Sequence, residues 1–185
     1  TVPCLRGGYS FVVTSGWSNP REVYTIGDSL HLHSSFSKTL TDQVNTSWVV
    51  DYSNSVGIGG NITLYEFDTV LHKVIDAVNK FNYFVTRGTL NTSPLSPLNI
   101  KDVYYEELST SYDVDLSILP TVKGIYAIYI SDLYSNGLRG DDCTNAGFSN
   151  TLTNTNKNIN LFEYAMNRPP ASQFEIDRIY CFRVQ

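Results

Sequence analysis

Apolar and polar positions alternate with a period of two in one short run after another along this chain. In residues 8–14, Tyr9, Phe11 and Val13 fall on one side of a pleat, and Ser10, Val12 and Thr14 fall on the other. That is the signature of a half-buried strand. Residues 15–20, Ser-Gly-Trp-Ser-Asn-Pro, carry turn chemistry throughout. Further alternating or β-branched runs cover residues 21–26, 29–36, 47–52, 61–67, 81–86 and 103–108, each bounded by Gly, Asn, Ser or Pro. Residues 125–130 are apolar on both faces, which suits a central strand covered on both sides. Residues 174–184 place Phe174, Ile176, Tyr180, Phe182 and Val184 on one face, an edge-to-core pattern.

One segment departs from the period of two. Val70, Leu71, Val74, Ile75, Val78 and Phe81 recur at intervals of three and four, and Asp68 is placed to accept N–H bonds as an N-cap. The spacing predicts a single helix over residues 69–80. With about eight to ten short strands around it, the expected fold is mainly β, a barrel or a sandwich. Residues 87–99 and 135–158 read as long loops, and loops of that length in a compact domain usually carry function or are disordered.

The length of 185 residues fits one domain, 1–185. The chain begins at Thr1 with neither an initiator Met nor a signal-peptide pattern, so we expect a piece excised from a longer precursor. Charged residues make up only 17%, and polarity comes instead from 16 Asn, 19 Ser and 17 Thr. A net charge of -5 with no basic run argues against a nucleic-acid partner. The apolar runs are far shorter than the roughly 20 residues of a membrane-spanning helix, so no membrane insertion is expected. Cys4, Cys143 and Cys181 lie far apart without the CxxC spacing of a zinc site. A core of this size needs no staple, and three reduced thiols are expected over one bridge plus a free thiol.

His31 and His33 flank Leu32 on a strand and so share a face, but a metal would need a third ligand. The only other histidine, His72, lies on the expected helix, and a polar strand face is the preferred reading. No metal and no cofactor are expected. There is no GxSxG elbow or other nucleophile signature. Asp141 and Asp142 disfavour a thiolate at Cys143. The glycines of residues 56–60 lack the third Gly, the Lys and the following helix of a phosphate loop, and read as a flexible strand connection. We therefore expect no catalytic residues and no enzyme.

Binding chemistry is more evident. Arg139-Gly140-Asp141, in a polar loop, is a tripeptide that integrins recognise when a loop tip displays it; an ordinary turn, with Arg139 paired to Asp142, is the alternative. Aromatic residues make up 13% of the chain, and Trp17, Trp48 and the many tyrosines cannot all sit in a core with their polar tips satisfied. Exposed aromatics beside Asn, Ser and Thr are the usual equipment of glycan and protein recognition. Arg139, Gly140, Asp141, Trp17 and Trp48 are thus the candidate receptor-binding residues. Asn45, Asn61 and Asn91 head N-glycosylation sequons, which would be used only in a secretory route.

The opening residues Val2-Pro3-Cys4-Leu5-Arg6-Gly7-Gly8-Tyr9, the Asn- and Thr-rich residues 144–160 and the closing residues 174–184 together resemble the spike, or projection, domain of astrovirus capsids, including the avian type. The resemblance implies a small β-barrel core, a homodimer on the virion surface, proteolytic release from a capsid precursor, and attachment to a host-cell receptor, glycan or protein. It also implies an antigenic surface. A competing class is a secreted immune-evasion or adhesion β-sandwich, which would carry sugar and a disulfide where a cytoplasmically assembled capsid would not. A third, a carbohydrate-active enzyme, needs two carboxylates facing each other across a cleft, with Glu106, Glu107, Asp113 and Asp115 as the candidates.

Overall fold

The structure is a computed structural model that describes residue 4, residues 8–141 and residues 143–185. Sixteen strands occur among these residues: β1 (Tyr9–Ser18), β2 (Val23–Tyr24), β3 (Leu30–Ser37), β4 (Thr39–Thr41), β5 (Val49–Asp51), β6 (Gly59–Asp68), β7 (Lys73–Asp76), β8 (Phe81–Arg87), β9 (Thr89–Thr92), β10 (Ile100–Tyr104), β11 (Glu106–Glu107), β12 (Ser111–Pro120), β13 (Gly124–Ile130), β14 (Leu133–Ser135), β15 (Ala146–Leu152) and β16 (Ile179–Val184). Two short helices, α1 (Ile159–Met166) and α2 (Gln173–Ile176), lie between β15 and β16.

The strands build two layers. In the first, β6 is central: β10 and β7 flank it on one side, β13 and β14 on the other, with β9 beyond β10 and β16 then β2 beyond β13. In the second, β12 lies between β3 and the pair β8 and β11. β1 belongs to both. Its residues Tyr9 to Ser15 run parallel to β15 in the first layer, and Gly16 to Ser18 pair antiparallel with β3 in the second.

Alternation fills the space between the layers. Leu30, Leu32, Val114, Leu116 and Ile118 of the second layer meet Ile62, Leu64, Tyr126, Ile128, Tyr180 and Phe182 of the first in one buried cluster. A second cluster gathers Phe11, Tyr52, Tyr112 and Phe148 with the half-buried Phe36. Ring pairs here, such as Phe11 with Phe148 at 5.2 Å, are worth about 0.5–1.5 kcal/mol each beyond area burial. On the outer face of the first layer, Leu161, Phe162 and Ala165 of α1 cover Phe67, Ile125, Ala127, Ile179 and Cys181. Residues 125–130 are apolar at successive positions because both of their faces are covered.

The mainly β sandwich agrees with the sequence reading, and its details differ in physical ways. The helix expected over residues 69–80 is absent. Asp68 does bind the N–H groups of Val70 and Leu71, both at 2.9 Å, but it closes a turn, and His72 then takes a left-handed φ of 49°. β7 folds back on β6, with Phe67 opposite Val74, and a 3-10 turn follows at Val78–Lys80. Val70 and Leu71 are exposed. β-branched residues at Val70, Val74 and Ile75 favour extended backbone, and of the three-to-four spacing only Val78 and Phe81 reach the core, while Val70, Leu71, Val74 and Ile75 stay exposed.

Sixteen strands occur among the described residues where eight to ten were expected: residues 87–99 and 135–158, expected as loops, contain β9 and β15, and β12 lies in residues 109–124, where no strand was expected. β1 runs through the expected turn at residues 15–20 as far as Ser18. Residues 174–184 split into α2 and the central strand β16, whose inner and outer faces are both covered.

The cysteines also differ from expectation. Cys4 and Cys143 are joined in a disulfide, and Cys181 is free and buried beneath α1. Burial pushes the Cys181 thiol up to about 12, so it stays protonated at neutral pH. We predict that iodoacetamide leaves the native, unreduced protein unmodified and adds one group after unfolding in urea, read by intact mass. Replacing Cys4 and Cys143 together with Ala removes a link between residues 139 apart in sequence. Urea denaturation of that variant should show a loss of about 2–4 kcal/mol.

Candidate functional site

The Arg139-Gly140-Asp141 sequence sits at the exposed tip of a tight turn. The Asp141 N–H donates to the Leu138 carbonyl at 3.0 Å, and Gly140 supplies the turn's left-handed residue at φ 87°. Three connections hold the turn from below. The Arg139 N–H donates to the Asn54 carbonyl at 2.9 Å, and the Val56 N–H donates to Gly137 at 2.7 Å. The Thr144 hydroxyl donates to the Asp141 carbonyl and accepts from the Leu138 N–H, closing the base of the turn. Cys143 adds the covalent link to Cys4.

Buried tyrosines suspend this assembly from the core. The Tyr52 hydroxyl donates to the Thr144 carbonyl at 2.7 Å, and the Tyr112 hydroxyl donates to the Tyr52 carbonyl at 2.7 Å and accepts from the Ser55 N–H at 3.1 Å. Burial raises the Tyr52 hydroxyl above its ordinary value and pushes Tyr112 up to about 12. Both remain protonated donors at neutral pH. One Asp141 carboxylate oxygen accepts from the Cys143 N–H at 3.0 Å; among the described residues the other has no hydrogen-bond partner, and the Arg139 guanidinium has no ion pair. The expected pairing of Arg139 with Asp142 falls outside the described residues.

A cleft of about 390 Å³ opens beside the turn. Its floor is Gly59 and Asn61 of β6, its walls are Tyr104 and Tyr134, and Pro94 and Leu95 form a lip. The two segments read as loops therefore meet here: Pro94 and Leu95 come from residues 87–99, and Asn136 from residues 135–158. Tyr134 is held in place because β14 pairs with β15 on one side and with Gly59 on the other. The preceding turn is fixed by Asp132, whose Oδ1 accepts from Arg178 at 2.8 Å and from the Asn150 N–H at 3.0 Å.

No protein-family model and no curated protein matches the chain. Three solved structures show distant likeness. A cohesin module from a Clostridium perfringens family 33 glycoside hydrolase is 9% identical, covering 76% of this chain and 98% of that one, with a TM-score of 0.35. The second type II cohesin module of the ScaA scaffoldin from Acetivibrio cellulolyticus is 10% identical over 76% and 92% of the two chains, with a TM-score of 0.37. The Reelin-N domain of F-spondin is 10% identical over 97% and 90%, also at 0.37. Likenesses this distant carry no argument about what the chain binds.

The remaining candidates separate in space. Trp17, expected at the surface, is in the core at 3% exposure and stacks on Tyr180 at 5.5 Å, so it is unfit to touch a receptor. Its place on β1 between the two layers puts it there. Trp48 stays exposed on the β4–β5 connection, outside the lining of the cleft. His31 and His33 share a face as expected, with Asp115 of β12 beside them: His31 Nε2 lies 2.9 Å and His33 Nδ1 3.8 Å from its two carboxylate oxygens. Among the described residues no group of three or more His, Cys, Asp or Glu is arranged to hold a metal.

The four carboxylates weighed for glycosidase chemistry lie on β11 and β12. Glu106 approaches Arg87, Glu107 pairs with Lys38 at 2.8 Å, and Asp113 accepts from Ser35 at 2.8 Å. None lines the cleft. Of the sequon residues, Asn91 is exposed on β9, Asn45 is half-buried, and Asn61 belongs to the cleft floor.

Sequence reasoning missed Tyr104, Tyr134, Gly59 and the tyrosine hydroxyls beneath the turn. Gly59-Gly60 was the available signal, because glycines at a strand start mark close approach of a ligand or another chain segment. We predict that Tyr52→Phe, which leaves the buried Thr144 carbonyl without its donor, lowers unfolding free energy by about 1–3 kcal/mol in urea denaturation. The folded variant should bind any partner of the turn more weakly.

Proposed function

We propose that this domain is an attachment module without catalytic activity, which engages a protein receptor of the integrin kind. The observation that carries the proposal is the Arg139-Gly140-Asp141 turn, exposed at its tip and pinned at its base by Thr144, Tyr52 and the Cys4–Cys143 bridge. A ligand loop already held in one conformation loses less entropy on binding. In this reading Asp141 ligates a divalent cation carried by the receptor through its second oxygen, and Arg139 reaches an acidic group on the other side of the receptor's cleft. The net charge of -5 supports a partner other than nucleic acid.

The bridge also bears on location. Disulfides persist in oxidising compartments, so Cys4–Cys143 favours the secreted adhesion domain over a spike assembled in the cytoplasm. A virion spike would display the same turn, and the state of these two cysteines in the native source separates the two settings. A homodimer belongs to the same proposal, because paired turns raise avidity. β8, with Phe84 and Val85 exposed, is the surface that supports it.

The test is surface plasmon resonance of the oxidised domain against a panel of integrin ectodomains in manganese buffer. We expect saturable binding to at least one member, abolished by EDTA and weakened at least about a hundredfold by Asp141→Glu, as for a central contact residue. Adding one methylene displaces the carboxylate from the metal while keeping its charge. Binding that survives both treatments, or no binding to any member, would overturn the assignment.

A further inference from the structure

The cleft beside the turn has an ordered floor. Tyr104 of β10 is directly opposite Gly59 of β6, and Tyr134 of β14 is directly opposite Gly59 from the other side. The three residues form one row across three strands, and the middle position carries no side chain. Directly paired residues point to the same face, and both tyrosines project outward, at 43% and 54% exposure. Two strand spacings separate their backbones by about 10 Å. Gly59 cannot be replaced cheaply, since a Cβ built on it would lie 2.5 Å from Cδ1 of Tyr104, whose ring leans over the glycine. The result is a cleft in which the Tyr104 ring covers the glycine from one side and Tyr134 stands on the other.

A polar row runs parallel to the aromatic one. Asp102 lies opposite Asn61 on β6 and opposite Asn91 on β9, two residues along each strand from the tyrosine row and therefore about 7 Å away. Among the described residues, no hydrogen bond engages the side chains of Asp102, Asn61 or Asn136, all of which line the cleft. The described lining includes the Asp102 carboxylate and no Lys or Arg.

We propose that this cleft is a saccharide-binding site for a neutral hexose unit. A pyranose presents an apolar face of C–H groups and a rim of hydroxyls. That apolar face packs on an aromatic ring at about 3.5–4.0 Å, and the exposed rings of Tyr104 and Tyr134 both line the cleft. The hydroxyls meet the Asp102 carboxylate and the Asn61 and Asn136 amides, which supply both acceptors and donors. A carboxylate without a neighbouring cation disfavours an acidic sugar. The volume of about 390 Å³ lies in the range of small-ligand sites. An apolar ligand would leave the polar row desolvated and unpaired.

This inference does not rest on the Arg139–Asp141 reading: it needs no divalent cation, and its variants leave that turn intact, so either reading stands or fails alone. The test uses the oxidised domain made in a bacterial host, where Asn61 stays bare. Saturation-transfer NMR is run with the methyl glycosides of glucose, galactose, mannose and N-acetylglucosamine at millimolar concentration. At least one should receive saturation, strongest on its ring C–H protons. Tyr134→Ala and Asp102→Asn should each weaken that binding at least tenfold, while Tyr164→Ala, on the exposed side of α1, should leave it unchanged. Asp102→Asn keeps the side chain's shape, so its loss of binding does not reduce to misfolding, and thermal unfolding of each variant checks the fold. Silence from all four glycosides, or full binding by both cleft variants, would overturn the proposal.

Discussion

A strand that belongs to two sheets ties both of them to one geometry. β1 gives Tyr9 to Ser15 to a parallel ladder with β15 and Gly16 to Ser18 to an antiparallel ladder with β3. The change of partner occurs where Gly16 sits close to Thr153, leaving no room for a side chain. Asn154 bonds both the N–H and the carbonyl of Trp17, and Ser15 bonds Asn150, so the crossing is fixed by hydrogen bonds on both sides of the glycine. Trp17 is then delivered into the core against Tyr180. Because β15 also holds β14, the same strand sets where Tyr134 and the following turn emerge from the sandwich.

That hierarchy explains which parts of the fold were legible in the sequence. β3 and the first half of β1 could be read because their alternation has one wet face and one dry face. β13 could be read because an unbroken apolar run has few other uses. The β6–β7 hairpin could not, since Asp68 makes the hydrogen bonds of a helix cap and those of a hairpin turn equally well, and only the pairing with β6 decides between them. β12 alternates as cleanly as any strand, with Tyr112, Val114, Leu116 and Ile118 inward, but its outward acidic residues drew attention as catalytic candidates. Their partners, Ser35 for Asp113 and His31 for Asp115, are distant in sequence and appear only once the strands are aligned.

The candidate site was legible only in part. The Arg139–Asp141 turn announces itself through its composition, but what makes it a defined object is remote: Tyr52, Tyr112, Asn54 and Cys4 all come from elsewhere in the chain. The Cys4–Cys143 pairing was missed because a general argument about core size cannot say whether two thiols end up adjacent. Trp17 was misplaced because a large aromatic residue beside Ser, Gly and Asn looks like a loop residue until the strand is seen to continue through it. The cleft is a product of register alone: Tyr104, Gly59 and Tyr134 share a row that no local pattern encodes.

The fold presents the Leu138–Asp141 turn in a single, prebuilt conformation. Amide hydrogen exchange of the free, oxidised domain tests it most directly, because the N–H groups of Leu138, Arg139 and Asp141 are all bonded within the turn or to Asn54. These three amides should exchange far more slowly than in an unfolded peptide of the same sequence, and reducing the disulfide should speed them while leaving the β13 amides protected. Exchange at unfolded-peptide rates in the oxidised protein would contradict it, since a turn that is not held in advance cannot be what the sandwich is built to display.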